Sequence, residues 1–392
     1  MTDSPNSKNY GVPIYGAGWV PQSAVEPPSE SAPPGSYVVL AGGGGEGNSG
    51  IRNALILAKF HFDTNVLSDQ PGAHPKGGGC GLDLKVARLG TGGDLPYRMA
   101  VHPGGAGLIC SLPKSCRWFD WDFQRDENRS LDLISSERVL EPLQDVGQQL
   151  ALTFNNEGSL LAVGGEDGKL RVYKWPSMEN ILDQDNAHAS VKDLDFSPDG
   201  KFLASVGSGP CRIWDVSKSK SVASLMKDND EIFGSCRFSP INDENQVLYI
   251  ITMRDQGGSI SKWSTTTWKR IKSKRVVRDP ICAFNVSPNG KLLAVGTIEG
   301  DVLIASSNNF QVQNVVKKAH LGLVTTLKFS EDSRALLSAS MDSRVRVTII
   351  KDEEKKSGLS LRIIILVLLI AIAVYYAASN GILPLELNSL LK

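Results

Sequence analysis

An all-β propeller of seven blades, followed by one apolar C-terminal helix, is the architecture this sequence predicts. Three observations carry it: a repeat of about 42 residues, Ser-Pro-Asp-Gly-type turns at a fixed place in each repeat, and an uncharged stretch from Ile363 to Leu385. Short β-rich units of that period cannot bury both faces alone, so they stack around an axis.

The repeat is plainest from residue 149 onward. The first clear copy is Leu150–Gly158 followed by Ser159–Trp175, and the second joins Val191–Phe196, the turn at 197–200, Lys201–Val206 and Arg212–Asp215. A divergent copy runs through Gly234–Pro240, Gln246–Met253 and Ile260–Trp263. The next uses Ile281–Val286, the turn at 287–290, Lys291–Gly296 and Asp301–Ile304; the last uses Val324–Phe329, Ala335–Ser340 and Arg344–Ile349. Aligning Asn155, Ser197, Ser239, Ser287 and Ser330 gives steps of 42, 42, 48 and 43 residues. Two degenerate copies precede these, Tyr37–Phe62 and Arg98–Trp121, the latter with His102-Pro-Gly-Gly as its turn. The total is seven blades within residues 1–350. Gly11–Val20 is the expected closing strand beside Val345–Ile350, because closure removes an exposed sheet edge.

Trp214-Asp215 is the dipeptide that names WD repeats. His188 and His320 each precede a first strand, and Asp167 and Asp342 lie in turns, so all four are read as members of the structural hydrogen-bond network of such blades. No nucleophile–base pair in a supporting context accompanies them, and covalent catalysis is not expected. Between blades, Pro21–Ser36, Leu67–Asp94 and Asp120–Gln148 read as irregular. Lys269–Arg278 carries six basic residues and is read as a solvated face, with anionic headgroups as the alternative.

The C-terminus differs from the rest. The 23 residues from Ile363 to Leu385 lack any charge, enough to cross a hydrocarbon core of roughly 30 Å. The expected organisation is a cytosolic propeller over 1–350, a linker over 351–360, a transmembrane helix over 361–385 and a lumenal tail over 386–392. No apolar leader opens the chain, and Lys351, Lys355, Lys356 and Arg362 flank the span on its N-terminal side against Lys392 beyond it, which keeps the propeller in the cytosol. The short apolar core suits a thin bilayer such as that of the endoplasmic reticulum.

Forty-two basic and 42 acidic residues cancel, so nucleic acid is not an expected partner. Six cysteines, at 80, 110, 116, 211, 236 and 282, include no Cys-x-x-Cys pair and are expected reduced and buried. Asn128 and Asn285 open Asn-x-Ser sequences that a cytosolic domain would leave without glycan.

The costliest stretch is Gly42–Asn53, with six glycines in nine positions from 42 to 50. Glycine loses more entropy on ordering than any other residue, so a plain turn does not call for so many. A phosphate-binding P-loop fails because Ile51-Arg52 stands where Lys and Ser or Thr belong. A dinucleotide fingerprint fails because Asn53–Phe62 leaves no room for a following helix. An ordered loop protruding between two strands of blade one remains. It would present Ile51 and Asn53 to a partner, and a cation that collects several carbonyls would ease its ordering.

Gly-Gly-Gly-Gly-x-x-x-x-Gly-Ile-x-Asn in the first blade, a seven-bladed propeller and one C-terminal span together resemble the endoplasmic-reticulum membrane exchange factors that load the small GTPase starting COPII coat assembly. The animal member is also called prolactin regulatory element-binding protein. Gly11–Trp19 is similar to the family's opening strand, and the resemblance covers the whole chain. It implies a guanine-nucleotide exchange factor acting in transport from the endoplasmic reticulum to the Golgi. It also implies a potassium ion held by the segment containing Gly42, Gly43, Gly44, Gly45, Gly47, Asn48 and Gly50, with Ile51 and Asn53 entering the GTPase's nucleotide site. Where members commonly have Lys-Thr, this chain has Asn48-Ser49. A plant branch, the phosphate transporter traffic facilitators, implies the alternative: a non-catalytic export facilitator whose partners are cargo membrane proteins.

Overall fold

The computed structural model describes residues 4–25, 35–47, 49–68, 87–123, 131–228, 230–240, 246–255, 257–350 and 361–380. Among these, residues up to Ile350 form one compact unit and the segment from Lys351 another. The first unit contains seven antiparallel sheets, six of four strands and one of five. The blade count read from the repeat is therefore borne out.

Blade three shows the plan. Gln149–Phe154, Leu160–Gly165, Leu170–Lys174 and Asn180–Gln184 pair in succession from the axis outward. Alternating side chains point to the two faces of each sheet, and both faces are apolar because each packs on a neighbouring blade. Ala204, Val206 and Ile213 of blade four, for example, share one core with Phe233, Phe238 and Ile250 of blade five. The seven innermost strands are Ile14–Trp19, Met99–Val101, Gln149–Phe154, Val191–Phe196, Ile232–Phe238, Ile281–Val286 and Val324–Phe329. Residues on or just beside all seven line a narrow axial channel with a cavity of about 120 Å³.

Inner strands all run the same way, which gives the disc two distinct faces. Inner strands start on the entry face, which also carries the turns between second and third strands. They end on the exit face, which carries the turns between first and second and between third and outer strands. Three exit turns close alike. Ser197, Ser287 and Ser330 donate from Oγ to Asp199, Asn289 and Asp332 at 2.6–2.7 Å and accept the N–H of Phe202, Leu292 and Ala335 at 2.9 Å.

Closure differs from the expectation. The strand beside Arg344–Arg346 is Ser7–Asn9, whereas Ile14–Trp19 is the inner strand of blade one and pairs with Gly35–Gly42. Crowding at the axis is the reason. A Cβ on Gly16 or Gly18 would press on Met99 or Val101 of blade two, so the Gly-Ala-Gly run suits an inner position and has nothing to gain at an edge. Asn6 ties the closing strand further, donating to the Val347 carbonyl at 2.9 Å.

Two segments read as irregular contribute strands. Leu131–Ser135 is the outer strand of blade two, and Ala87–Gly92 pairs with Asn53–His61 at the edge of blade one. The basic run at 269–278 is mostly one strand, Arg270–Val277, at the outer edge of blade five. Cys110, Cys116, Cys211 and Cys236 are buried and Cys282 half-buried, all as free thiols; Cys80 lies outside the described residues. Asn285 sits on an inner strand, its Oδ1 accepting the Phe329 N–H at 3.2 Å, and Asn128 lies outside the described residues.

In the second unit, Leu361–Ser379 forms one helix, α1. Its described side chains, Ile365 to Tyr376, are exposed on every side. Among the described residues, no helix is long and apolar enough to cross a membrane.

Candidate functional site

The glycine segment joins Gly35–Gly42 to Asn53–His61, the second and third strands of blade one, and therefore projects from the entry face. Its base is buried and its tip is open: Gly42, Gly43 and Asn53 are covered, while Glu46, Gly47 and Ser49–Arg52 are exposed. The glycines divide by position. At Gly42, Gly43 and Gly44 an added Cβ would collide with the Pro13 carbonyl, the Asn53 side chain and the Ser49 and Ile51 side chains. Gly45 and Gly50 instead hold φ of +82° and +74°, where other residues are strained.

Asn53 holds the base together. Its Oδ1 accepts the Gly45 N–H at 3.0 Å, and its Nδ2 lies 3.2, 3.2 and 3.0 Å from the carbonyls of Gly45, Gly92 and Gly93. The side chain thus links the glycine turn to the end of the outermost strand. Asn53 is only 4% exposed, so the expectation that it faces a partner is corrected: it points inward, because unpaired carbonyls beside it would be costly. Ile51 does point outward and is 38% exposed. Ser49 shapes the tip, its N–H donating to the Gly47 carbonyl at 2.8 Å and its Oγ accepting from Ile51 N at 3.3 Å.

Of the residues expected to line a cation site, Gly42 closes the second strand and Gly43–Gly45, Gly47 and Gly50 follow in the loop; Asn48 lies outside the described residues. The carbonyls of Gly43 and Gly44 accept no hydrogen bond among the described residues. Among those residues there is also no His, Cys, Asp and Glu cluster able to hold a metal. A donor set of neutral carbonyls fits a weakly hydrated monovalent cation better than a divalent one.

The histidines behave as structural groups. His188 Nε2 lies 2.9 Å from Ser205 Oγ, which also accepts from Trp214 Nε1 at 2.8 Å. Burial, helped by the Arg212 charge, lowers His188 to about 4. His320 Nε2 meets Ser338 Oγ at 2.8 Å, and Asp342 lies 3.6 Å from its other ring nitrogen. Burial alone would raise Asp342, but its polar contacts, including the N–H groups of Leu321 and Arg344, outweigh that and hold it at about 2. Asp167 accepts the Lys169 N–H at 3.1 Å within its turn.

Sequence reading missed a charged axle. Asp193, Arg237 and Lys328 meet in the channel from three inner strands, with Arg237 2.6 Å from Asp193, while Asp195, on the same strand as Asp193, accepts the Phe238 N–H at 2.7 Å. Burial raises Asp195 to about 6 and lowers Lys328 to about 8. Arg98 and Lys192 line the channel too, so cations outnumber acids there. Burial pushes the Cys282 thiol that also lines it up to about 11, which keeps it protonated, and the cavity of about 640 Å³ nearby opens on the exit face, away from the glycine loop. Their separation in sequence hides them; only ring closure gathers them.

A profile described as the anaphase-promoting complex subunit 4 WD40 domain matches residues 152–253, and one described as WD domain, G-beta repeat matches residues 311–348. SEC12-like protein 2 of Arabidopsis thaliana is 49% identical over 370 residues, covering 90% of both chains. The chain belongs to the SEC12-like family. SEC12-like protein 1 of Arabidopsis thaliana is 30% identical over 318 residues, covering 80% of this chain and 75% of that protein. Guanine nucleotide-exchange factor SEC12 of Rattus norvegicus is 26% identical over 246 residues, covering 56% and 57%. The family resemblance read from the glycine loop is thereby borne out, and within this SEC12-like propeller that loop interrupts the otherwise tight entry-face turns.

Proposed function

We propose that this chain is a guanine-nucleotide exchange factor anchored in the endoplasmic-reticulum membrane, acting on the small GTPase that starts COPII coat assembly. The observation that carries the proposal is the Asn53 staple, which fixes the base of the finger and leaves Ile51 exposed at its tip. The name of the rat relative supports the activity.

No covalent step is required. Exchange is negative coupling: a finger that occupies space beside the nucleotide weakens nucleotide binding, and the nucleotide weakens the complex by the same factor. Ile51 supplies an apolar wedge, and Asn53 positions it without touching the nucleotide. The carbonyls of Gly43 and Gly44, with the neighbouring glycine backbone, would hold a potassium ion. When bound, such an ion gathers the carbonyls and lowers the entropy lost when the finger enters its partner.

The apolar C-terminal stretch, which takes in α1 and is uncharged from Ile363 to Leu385, supplies the anchor: residues 361–385 span the bilayer, 386–392 are lumenal and the propeller is cytosolic. Tethering raises the local concentration of partners at the bilayer surface. The test is fluorescence-monitored GDP release from the GTPase with the full chain in detergent. Acceleration of at least about tenfold in potassium (~1.4 kcal/mol of barrier), lost in Ile51→Ala and reduced in choline buffer, is expected. No acceleration by the unmodified chain would defeat the proposal.

A further inference from the structure

Exposed apolar side chains of the propeller are unevenly placed. Met226 and Ile232 flank the entry to blade five at 67% and 56% exposure. Ile298 occupies the entry-face turn of blade six at 43%, Leu321 the approach to blade seven at 67%, and Met341 its entry-face turn at 42%. Ile51 continues the series on blade one. Inner strands of blades five, six, seven and one are successive neighbours around the axis, so these side chains form one arc that ends at the finger. Among the described residues, the exit-face turns carry no large apolar side chain this exposed; the propeller's others are Leu323 at the entry face, Val139 in the connection between blades two and three, and Ile134, Val222, Ile271 and Val315 on outer strands.

The arc is held, not loose. Asp342 accepts the Leu321 N–H at 2.6 Å and lies beside Met341, so one carboxylate fixes both apolar residues next to each other. Glu231 accepts the Asp228 N–H at 3.1 Å and pairs with Arg270 at 2.6 Å, which ties down the loop between Met226 and Ile232. The Ile298 N–H donates to the Pro280 carbonyl at 3.2 Å. Preorganised side chains lose little entropy on contact. Together the six expose on the order of 600 Å², near the roughly 800 Å² that each partner contributes to an interface of ordinary size.

We infer that the arc Met226–Ile232–Ile298–Leu321–Met341 is the docking surface for the small GTPase, seating the body of the partner while the finger reaches its nucleotide. This rests on the exchange-factor reading and adds to it a division of labour. The arc supplies affinity, and the finger supplies nucleotide release. The occupant is a folded protein with an apolar surface patch rimmed by polar groups, because the arc is continuous with Ile51 and its apolar side chains are bordered by exposed charges such as Lys227, Asp228 and Glu299.

The test uses the full chain in detergent and nucleotide-free GTPase, with binding measured by biolayer interferometry and GDP release measured separately. Leu321→Glu with Met341→Glu is expected to weaken binding at least tenfold and raise the GTPase concentration for half-maximal exchange, while the maximal rate stays within twofold. Ile298→Glu, a single change in an exposed turn, is expected to weaken binding several-fold and keeps the test open if the double variant misfolds. Val222→Glu with Val315→Glu, on outer strands, is expected to bind as the unmodified chain does. Arc variants that bind within twofold of the unmodified chain overturn the inference, even if exchange is normal. If the unmodified chain binds the GTPase without accelerating release, the finger's role fails and the arc is judged on binding alone. If it does not bind, the arc falls with its partner.

Discussion

On the exit face, Ser197, Ser287 and Ser330 close their turns with side-chain oxygens a few residues away. On the entry face, His188 and His320 reach instead into the sheets beneath, and the loop above His320 exposes Leu321. The same strands supply both faces. Exit turns are therefore finished locally and leave nothing apolar to cover, whereas entry loops are braced from below and free to present side chains outward. A blade can hence be stable on one side and adapted for binding on the other.

Acid should separate the faces most strongly. His188 has a folded value of about 4, below the roughly 6.5 of an unfolded histidine. The unfolded chain takes up the proton first, so stability is complete above about pH 6.5 and falls as pH drops toward 4. The loss from this group is at most roughly 3 kcal/mol. His188→Gln should flatten that slope in thermal melts between pH 7.5 and 5. Equal losses in both proteins would place the acid sensitivity elsewhere. On the exit face, burial pushes Asp199 and Asp332 up, but bonds from the Ser197 and Ser330 hydroxyls and from backbone N–H groups hold them below the ordinary carboxylate range. Their charge should be lost only in more acidic solution.

The finger's base comes next. Asn53→Ala leaves the carbonyls of Gly92 and Gly93 without the Asn53 amide, at a cost of roughly 1–3 kcal/mol. Hydrogen exchange at the Gly45 amide should speed up, and stimulated GDP release should fall at least tenfold. Retained release with a floppy finger would show that its order is dispensable. The smallest effect is expected on the exit face. Ser330→Ala removes two turn hydrogen bonds for about 1 kcal/mol, read as a lower melting temperature, with GDP release unchanged within twofold. A matching fall in release would break the distinction between the faces.

Much of this was legible before any coordinates. The turns at 197–200 and 287–290 carry residues whose own side chains finish the bend, so they announce themselves locally. The approach to Ile51 was likewise visible, since six glycines signal an unusual backbone. Asn53 was not readable in the same way. Its inward aim depends on Gly92 and Gly93, which lie 39 and 40 residues further on. The strand at 131–135 was masked by charged neighbours, because an outer strand with one solvent-facing side needs no apolar alternation on both.

By itself, the sequence determined the repeat period, the blade count, the position of the glycine finger and the apolar C-terminal stretch. Each depends on interactions spanning a few residues, or on composition alone. Tertiary structure decided which N-terminal strand closes the ring, which way Asn53 turns, that Asp193, Arg237 and Lys328 share one channel, and that Met226, Ile232, Ile298, Leu321 and Met341 fall on one face with Ile51. These depend on ring closure, which sets side by side residues that the chain keeps as much as 290 positions apart, as between Ile51 and Met341.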